Sequence, residues 1–465
     1  MKVKEQGKKG NLKKRHLEMI SLGSAIGTGI FLVSSETIQM AGPAVMLSYA
    51  IAGFVIFLIL RMLGEMTIEN PDPGSYCTYA EQYWGKLPGF IVGWNWWYTC
   101  IVVSMLELTA ACVFMDYWFP HLPHWITVLV LLSIIYAVNM INAKAFGEFE
   151  FWFSLIKVMA VLLIIVLGIA MILGIKGGKP TGFSNLWAHG GFFPKGAKGV
   201  LFALLSASFA FGGIESIGTT AGETEDLETT LPKSINKIFW LRVLIFYIGA
   251  IGVILIIWPW TKIAINTSPF VMAMDGLGIK SAAAIMNIVC IIACLSVFNC
   301  MVFSNPRILC SLAQNGSAPK FLTKKNKAGV PTTGLKINAA ITLLVVVLNY
   351  FFPHLFNYLV SIVLVSEIIT WSAIAITNIH FHKKLGKKAS ELKFKVPFYP
   401  YSNYFCLAYL ALLLVLMIIV PSYRIGIIAL PIWLCVLFIG YKCKQMYDSK
   451  SVSKIEESNQ IKQIK

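Results

Sequence analysis

Twelve apolar stretches divide this chain, each close to the length that crosses the hydrocarbon core of a bilayer. A spanning helix needs about 20 mostly apolar residues. The stretches lie near 17–39, 43–68, 90–118, 124–141, 151–175, 200–221, 238–260, 281–312, 335–352, 357–381, 400–420 and 425–443. Only 13% of the 465 residues are charged, about half the share found in a soluble domain. The expected fold class is therefore an all-α polytopic membrane protein with 12 transmembrane helices. The basic start MKVKEQGKKGNLKKRH runs into the first stretch without a small-residue cleavage site, so that span is expected to be retained. Most of the ten cysteines (Cys100, Cys112, Cys290, Cys294, Cys300, Cys435) sit inside apolar stretches. They read as small packing residues, forming neither a disulfide framework nor a metal set.

Orientation follows from the positive charges, which accumulate in cytoplasmic loops. With the N-terminus inside, 31 of the 39 basic residues fall in or beside cytoplasmic segments. Seven (Lys176, Lys179, Lys195, Lys198, Lys262, Lys280, Arg424) fall outside, and Lys157 lies within a span. Both termini are expected to be cytoplasmic. The net charge of +17 is then a product of membrane insertion and excludes nucleic acid as a partner, leaving the lipid bilayer. The longest loops, 69–89, 176–199 and 261–280, are too short to fold as domains. The chain divides into a basic N-terminus (1–16), five spans (17–175), five more (200–381), two additional spans (400–443) and a polar tail (444–465) expected to be disordered.

Two spans carry glycines near their middles. The first contains GSAIGTGIFL, residues 23–32, and the sixth SFAFGGIESIGTTAGE, residues 208–223. Each glycine costs a helix about 1 kcal/mol against alanine. Close helix packing explains Gly23 and Gly27, spaced by four. It does not explain why two spans, five apart, are interrupted alike. A repeat of five spans must cross the membrane upside down in its second copy, and paired discontinuous helices in inverted halves point to the central site of a secondary transporter. Unwound chain offers N–H groups to a carboxylate and C=O groups to an ammonium. A zwitterionic amino acid carries both.

The runs LKKRHLEMISLGSAIGTGIFL, IQMAGPAVMLSYAIAGFVIFLILRMLGEM, GWNWWYTCIVVSMLELTA, AFGEFEFWFSLIKVMAV, FAFGGIESIGTTAGE and PRILCSLAQNGSAPK resemble the amino acid transporter branch of the amino acid, polyamine and organocation (APC) permease superfamily. SNLWAHGGFFPKG, TSPFVMA, SVFNCMVFSNPRILCSLAQNGSAPKFL and PIWLCVLFIGY look most like the bacterial aromatic amino acid permeases. The resemblance implies a five-plus-five inverted (LeuT-like) repeat with two additional spans, alternating access, and proton-coupled uptake of an amino acid across a bacterial inner membrane, without a cofactor. Alternatives within the same fold are a permease for a cationic amino acid, proline or a small neutral one, and a nutrient sensor.

The resemblance also assigns residues. Ile26, Gly27, Thr28 and Gly29 would present amides to the substrate carboxylate. Phe209, Ala210, Phe211 and Gly212 would present carbonyls to the ammonium, with Phe209 closing over the side chain. Asn299 and Met301 occupy a region that contacts the side chain. Lys157, in IKV, matches a lysine that sits beside the broken first helix and exchanges a proton. On position alone it could instead snorkel, since a span beginning at 151 places it only about 9 Å deep. Glu107 shares a helical face with Cys100 and Ser104, and a buried carboxyl there could relay protons, line the pocket or bind a neighbouring helix. Glu215, just past the second break, reads as structural or gating. Two residues depart from the family pattern. Pro306 replaces a small hydroxyl residue and is expected to alter the end of span 8. Glu367 stands where an apolar residue is expected, either as a second proton site or as a bias toward cationic substrates. No phosphate-binding loop and no His or Cys paired with carboxylates at catalytic or metal spacing occurs. An enzyme is therefore not expected, and a channel would require a continuous polar pore.

Overall fold

The computed structural model describes residues 26–72, 74–141, 143–175, 182–221, 227–265, 267–276, 280–327, 329–352 and 355–463. Among them the chain is helical throughout, with no strand. A π-helical turn, Gly29–Val33, leads into α1 (Ser34–Ala41), and a 3-10 turn at Gly42–Ala44 joins it to α2 (Val45–Glu69). Pro43, which lacks an amide proton, marks that bend. Next come α3 (Ser75–Tyr79), a π-helical turn at Ala80–Trp84, α4 (Lys86–Met115), α5 (His124–Ile141) and α6 (Ala143–Ile172). After the break come α7 (Gly196–Phe209), α8 (Ser216–Ala221), α9 (Leu227–Lys237), a π-helical segment Ile238–Gly249 and α10 (Ala250–Ile257). The chain ends with α11 (Pro269–Gly276), α12 (Lys280–Gln314), α13 (Thr332–Phe351), α14 (Leu355–Leu385), α15 (Tyr401–Ile419) and α16 (Arg424–Gln463).

Eight helices among the described residues are long and apolar enough to cross a membrane, and three shorter apolar helices accompany them. The first of the eight, Gly29–Glu69, holds two of the expected spans on either side of the Pro43 bend. The helices sort into a centre and a rim. α4, α12 and α14 are mostly buried, whereas α6, α13 and α16 expose one apolar side with Trp152, Val166, Val347 and Ile432. An apolar exterior around an apolar core is what a lipid-facing bundle requires.

Polar side chains tie the central helices together. Trp97 Nε1 on α4 donates to Asn338 Oδ1 on α13 at 3.0 Å, Asn338 Nδ2 donates to Asn305 Oδ1 on α12 at 2.7 Å, and Asn305 Nδ2 returns to the Trp97 carbonyl at 3.1 Å. Asn95 of α4 donates to Thr370 Oγ1 of α14 at 3.1 Å.

α12 continues through Pro306 to Gln314, close to the expected end of that span. One expectation changes. The tail is not an irregular chain: α16 continues to Gln463, because residues 444–463 contain no Gly or Pro and are rich in Lys, Glu and Gln, which favour helix. Replacing Asn338 by Ala would leave both Trp97 and Asn305 short of a partner. The expected cost is about 1–2 kcal/mol, read as a lower unfolding midpoint of the detergent-solubilised protein; an unchanged midpoint would show that the ring adds no stability.

Candidate functional site

A cavity of about 50 Å³ lies where the helix beginning at Gly27–Gly29 meets the break between α7 and α8. On the first side, Ile26 is outside any helix and Gly27 is in a bend, with the helical hydrogen bonding starting at Phe31 N–H to Gly27 C=O. The first N–H groups of such a helix have no partner within it. On the other side α7 stops at Phe209, and residues 210–215 form turns before α8 begins. Two glycines make the crossing possible. A Cβ on Gly29 would sit 2.6 Å from Ala210 Cα, so nothing larger lets this helix start touch the break at 210–215. Gly213 has φ +81°, a conformation glycine adopts without strain.

The walls combine those backbones with side chains from α4, α12 and α14. Gly27, Thr28, Gly29, Phe209, Ala210, Gly212 and Gly213 form one part; Trp96, Thr99, Glu107, Met301 and Glu367 contribute to the rest. No Lys or Arg is among the lining residues. Thr28 Oγ1 donates to Glu107 Oε1 at 3.0 Å, while Glu107 Oε2 has no hydrogen-bond partner among the described residues. Glu367 likewise keeps Oε2 without a partner among the described residues. Its carboxyl lies against that of Glu215 and near the Gly213 amide. Trp371 Nε1 donates to Glu215 Oε2 at 3.3 Å, so Glu215 stands behind the cavity wall. The Ala210 carbonyl accepts the Tyr247 hydroxyl at 2.6 Å, and that of Phe209 accepts the Gly212 amide at 2.9 Å.

The family model for amino acid permeases matches residues 16–448. This chain belongs to the amino acid permease family. It is 42% identical to the aromatic amino acid transport protein AroP of Escherichia coli strain K12 over 442 residues, which is 95% of this chain and 96% of that protein. AroP of Salmonella typhimurium strain LT2 gives the same identity and coverage. The uncharacterized amino acid permease YtnA of Bacillus subtilis strain 168 is 42% identical over 462 residues, covering 98% of this chain and all of YtnA. As a member of a family of transporters, the chain is a multi-pass membrane transport protein, and its substrate is an amino acid.

Not every residue singled out in the sequence reaches the permease cavity. Ile26 is buried at its edge. Phe211 packs between Tyr49 and Tyr247 with ring centroids 6.3 and 4.8 Å away. Ser104 turns back to its own helix, donating to Cys100 C=O at 2.6 Å. Asn299 accepts from Asn139 Nδ2 at 2.8 Å, away from the cavity. Lys157 is fully buried, and because α6 starts at Ala143 it lies about 21 Å along the helix rather than near its end. The snorkelling alternative is thereby excluded. Its ammonium donates to Ser296 Oγ at 2.7 Å. Sequence reading missed Trp96 and Thr99, which the cavity gathers from one face of α4, and it missed Glu150, placed before the expected start of span 5 yet wholly buried. Among the described residues no three His, Cys, Asp or Glu side chains converge as metal ligands.

The Gly29 contact supplies a test. Gly29→Ala forces a methyl against Ala210 backbone, and overpacking of this kind costs about 1–3 kcal/mol. The expected readouts are a lower melting temperature in detergent and impaired uptake; a variant indistinguishable from the parent in both would show that the close approach is not needed.

Proposed function

We propose that the permease is a secondary transporter that imports aromatic or other neutral amino acids by proton symport and alternating access. The observation that carries this reading is a cavity where the start of one helix, at Gly27–Gly29, meets the break in another, at 210–215. One side offers helix-start amides; the other offers turn carbonyls with carboxyl groups close by. Ile26, Gly27, Thr28 and Gly29 hold the substrate carboxylate. The Phe209–Gly212 turn receives the ammonium. Trp96, Phe209 and Met301 provide the apolar and aromatic surface that suits a ring. The names of the AroP relatives favour the same substrate class. About 50 Å³ accommodates only a few waters, so accommodating a ring requires Phe209 or Met301 to swing away, a local movement fitting alternating access.

The proposal includes the 12-span, five-plus-five topology with both termini in the cytoplasm of a bacterial cell and the chain in its inner membrane. It also assigns proton coupling to Lys157 and Glu107. Ser104 and Asn299 support the side-chain pocket from behind, and Glu215 supports the second break. Glu367 favours one variation on the substrate: a carboxyl oxygen without a partner among the described residues, facing the cavity, would accept a side-chain N–H or O–H, tilting selection toward tyrosine, tryptophan or a cationic amino acid.

Purified permease in proteoliposomes with an inward proton gradient is expected to concentrate labelled L-phenylalanine, with tyrosine and tryptophan competing. Accumulation of lysine or arginine without phenylalanine competition would overturn the aromatic assignment. Phe209→Ala is expected to weaken apparent phenylalanine affinity about tenfold, in keeping with the loss of an aromatic contact of roughly 1–1.5 kcal/mol; unchanged affinity would remove Phe209 from the site.

A further inference from the structure

Behind the cavity, the seam between α6 and α12 holds a column of groups that do not line it. The helices run antiparallel there, since rising residue numbers on α12 meet falling numbers on α6. At the inner end Lys157 Nζ donates to Ser296 Oγ. One layer on, the same Ser296 hydroxyl donates its own proton to Glu150 Oε1 in a very short hydrogen bond. Glu150 is fully buried and also receives Ser154 Oγ at 3.2 Å and Asn299 Nδ2 at 3.5 Å, with the Cys300 thiol beside it. Asn139 of α5 fixes Asn299 from the third side. The next layer is a ring pair, Phe146 against Phe303, with centroids 3.8 Å apart and planes 13° from parallel. The Arg307 guanidinium covers Phe303 at 3.3 Å. From Lys157 to Phe146 the column is about 16 Å long.

A carboxyl group this deep in a span is costly unless it has a partner or a task. Structural pairing with Lys157 would be satisfied by direct contact, yet a hydroxyl that both accepts and donates stands between them. Such a hydroxyl carries a proton without moving, by taking one and releasing another. Lys157 also interacts electrostatically with Glu107 at the cavity, so the ammonium stands between a carboxyl that feels the substrate and one that does not.

We propose that Glu150 is a proton-relay residue that, through Ser296, takes the proton of Lys157 and passes it toward the Gln314 end of α12. The step is balanced within the chain. A Lys157 N–H proton moves to Ser296 Oγ as the Ser296 hydroxyl proton moves to Glu150 Oε1. Ammonium and carboxylate become amine and carboxylic acid, and the hydroxyl is regenerated. The Phe146–Phe303 pair is the plug that keeps the acid from water until it opens, and it lies toward the basic 315–331 connection, the cytoplasmic side in the proposed orientation. This inference rests on the reading of the permease as proton-coupled.

The test uses the full chain in proteoliposomes and separates two activities: counterflow of labelled L-phenylalanine, which needs binding and alternation, and its accumulation under an inward proton gradient. Glu150→Gln is expected to keep counterflow within about threefold and to lose about tenfold or more of the accumulation, with Glu150→Asp restoring part of it. Ser296→Ala is expected to show the same split, and carries the test alone if Glu150→Gln fails to assemble. Accumulation by Glu150→Gln equal to the parent would overturn the relay. Equal loss of counterflow and accumulation, without rescue by Asp, would overturn it too by making Glu150 purely structural. A parent that exchanges phenylalanine but never concentrates it would instead refute proton coupling itself.

Discussion

Backbone amides and carbonyls inside a bilayer must find partners in the protein, because lipid offers none and each lone group costs several kcal/mol. An interrupted helix is therefore tolerable only where another part of the chain, or a ligand, completes it. In this permease the helix start at Gly27–Gly29 and the break at 210–215 lie against each other. Short-range turns satisfy Phe211 and Gly212, the Tyr247 hydroxyl reaches in to Ala210, and Gly29 lets the first helix start within touching distance of the second break. The rest of the fold, a mostly buried centre of α4, α12 and α14 within a lipid-facing rim, holds that crossing in place.

Charge is distributed by the same constraint. Several of the buried carboxyls among the described residues lie at a helix seam with a donor from another helix. Glu107 takes Thr28 across the first break, Glu215 takes Trp371, and Glu150 takes Ser296 and Asn299. At the far end of α2, Glu65 accepts Asn378 Nδ2 at 2.8 Å and meets His382 Nε2 at 2.9 Å, joining α2 to α14. Like Glu107, Glu367 lines the cavity with one carboxyl oxygen that has no partner among the described residues.

Much of this was legible in the sequence, for a definite reason. Hydrophobic length is a local property, so helix appears in each of the twelve expected stretches, the first of them from Thr28 onward. Glycine clusters are local as well, and the break at 210–215 falls where they stand. Pairings between helices are not local. Ser104 and Glu107 share a face of α4, yet three residues of helical rotation send Glu107 to the cavity and Ser104 back to Cys100. Phe209 and Phe211 look equivalent in sequence, but one lines the cavity while the other fills the space between two tyrosines. Glu150 was hidden by a boundary: a span counted from 151 leaves it in a loop, whereas α6 begins at Ala143 and carries it inside. The polar tail misled in the opposite sense, since low hydrophobicity argues against packing and says little about whether a chain free of Gly and Pro coils.

The central claim is that the helix start at Gly27–Gly29 and the break at 210–215, by facing each other, make the amino acid site. The most direct measurement is a cryo-electron microscopy map of the purified permease with L-phenylalanine. The account predicts ligand density with its carboxylate against the amides of Gly27–Gly29 and its ammonium facing the Phe209–Gly212 turn. Continuous helix through residues 209–216, or ligand bound away from that crossing, would contradict it.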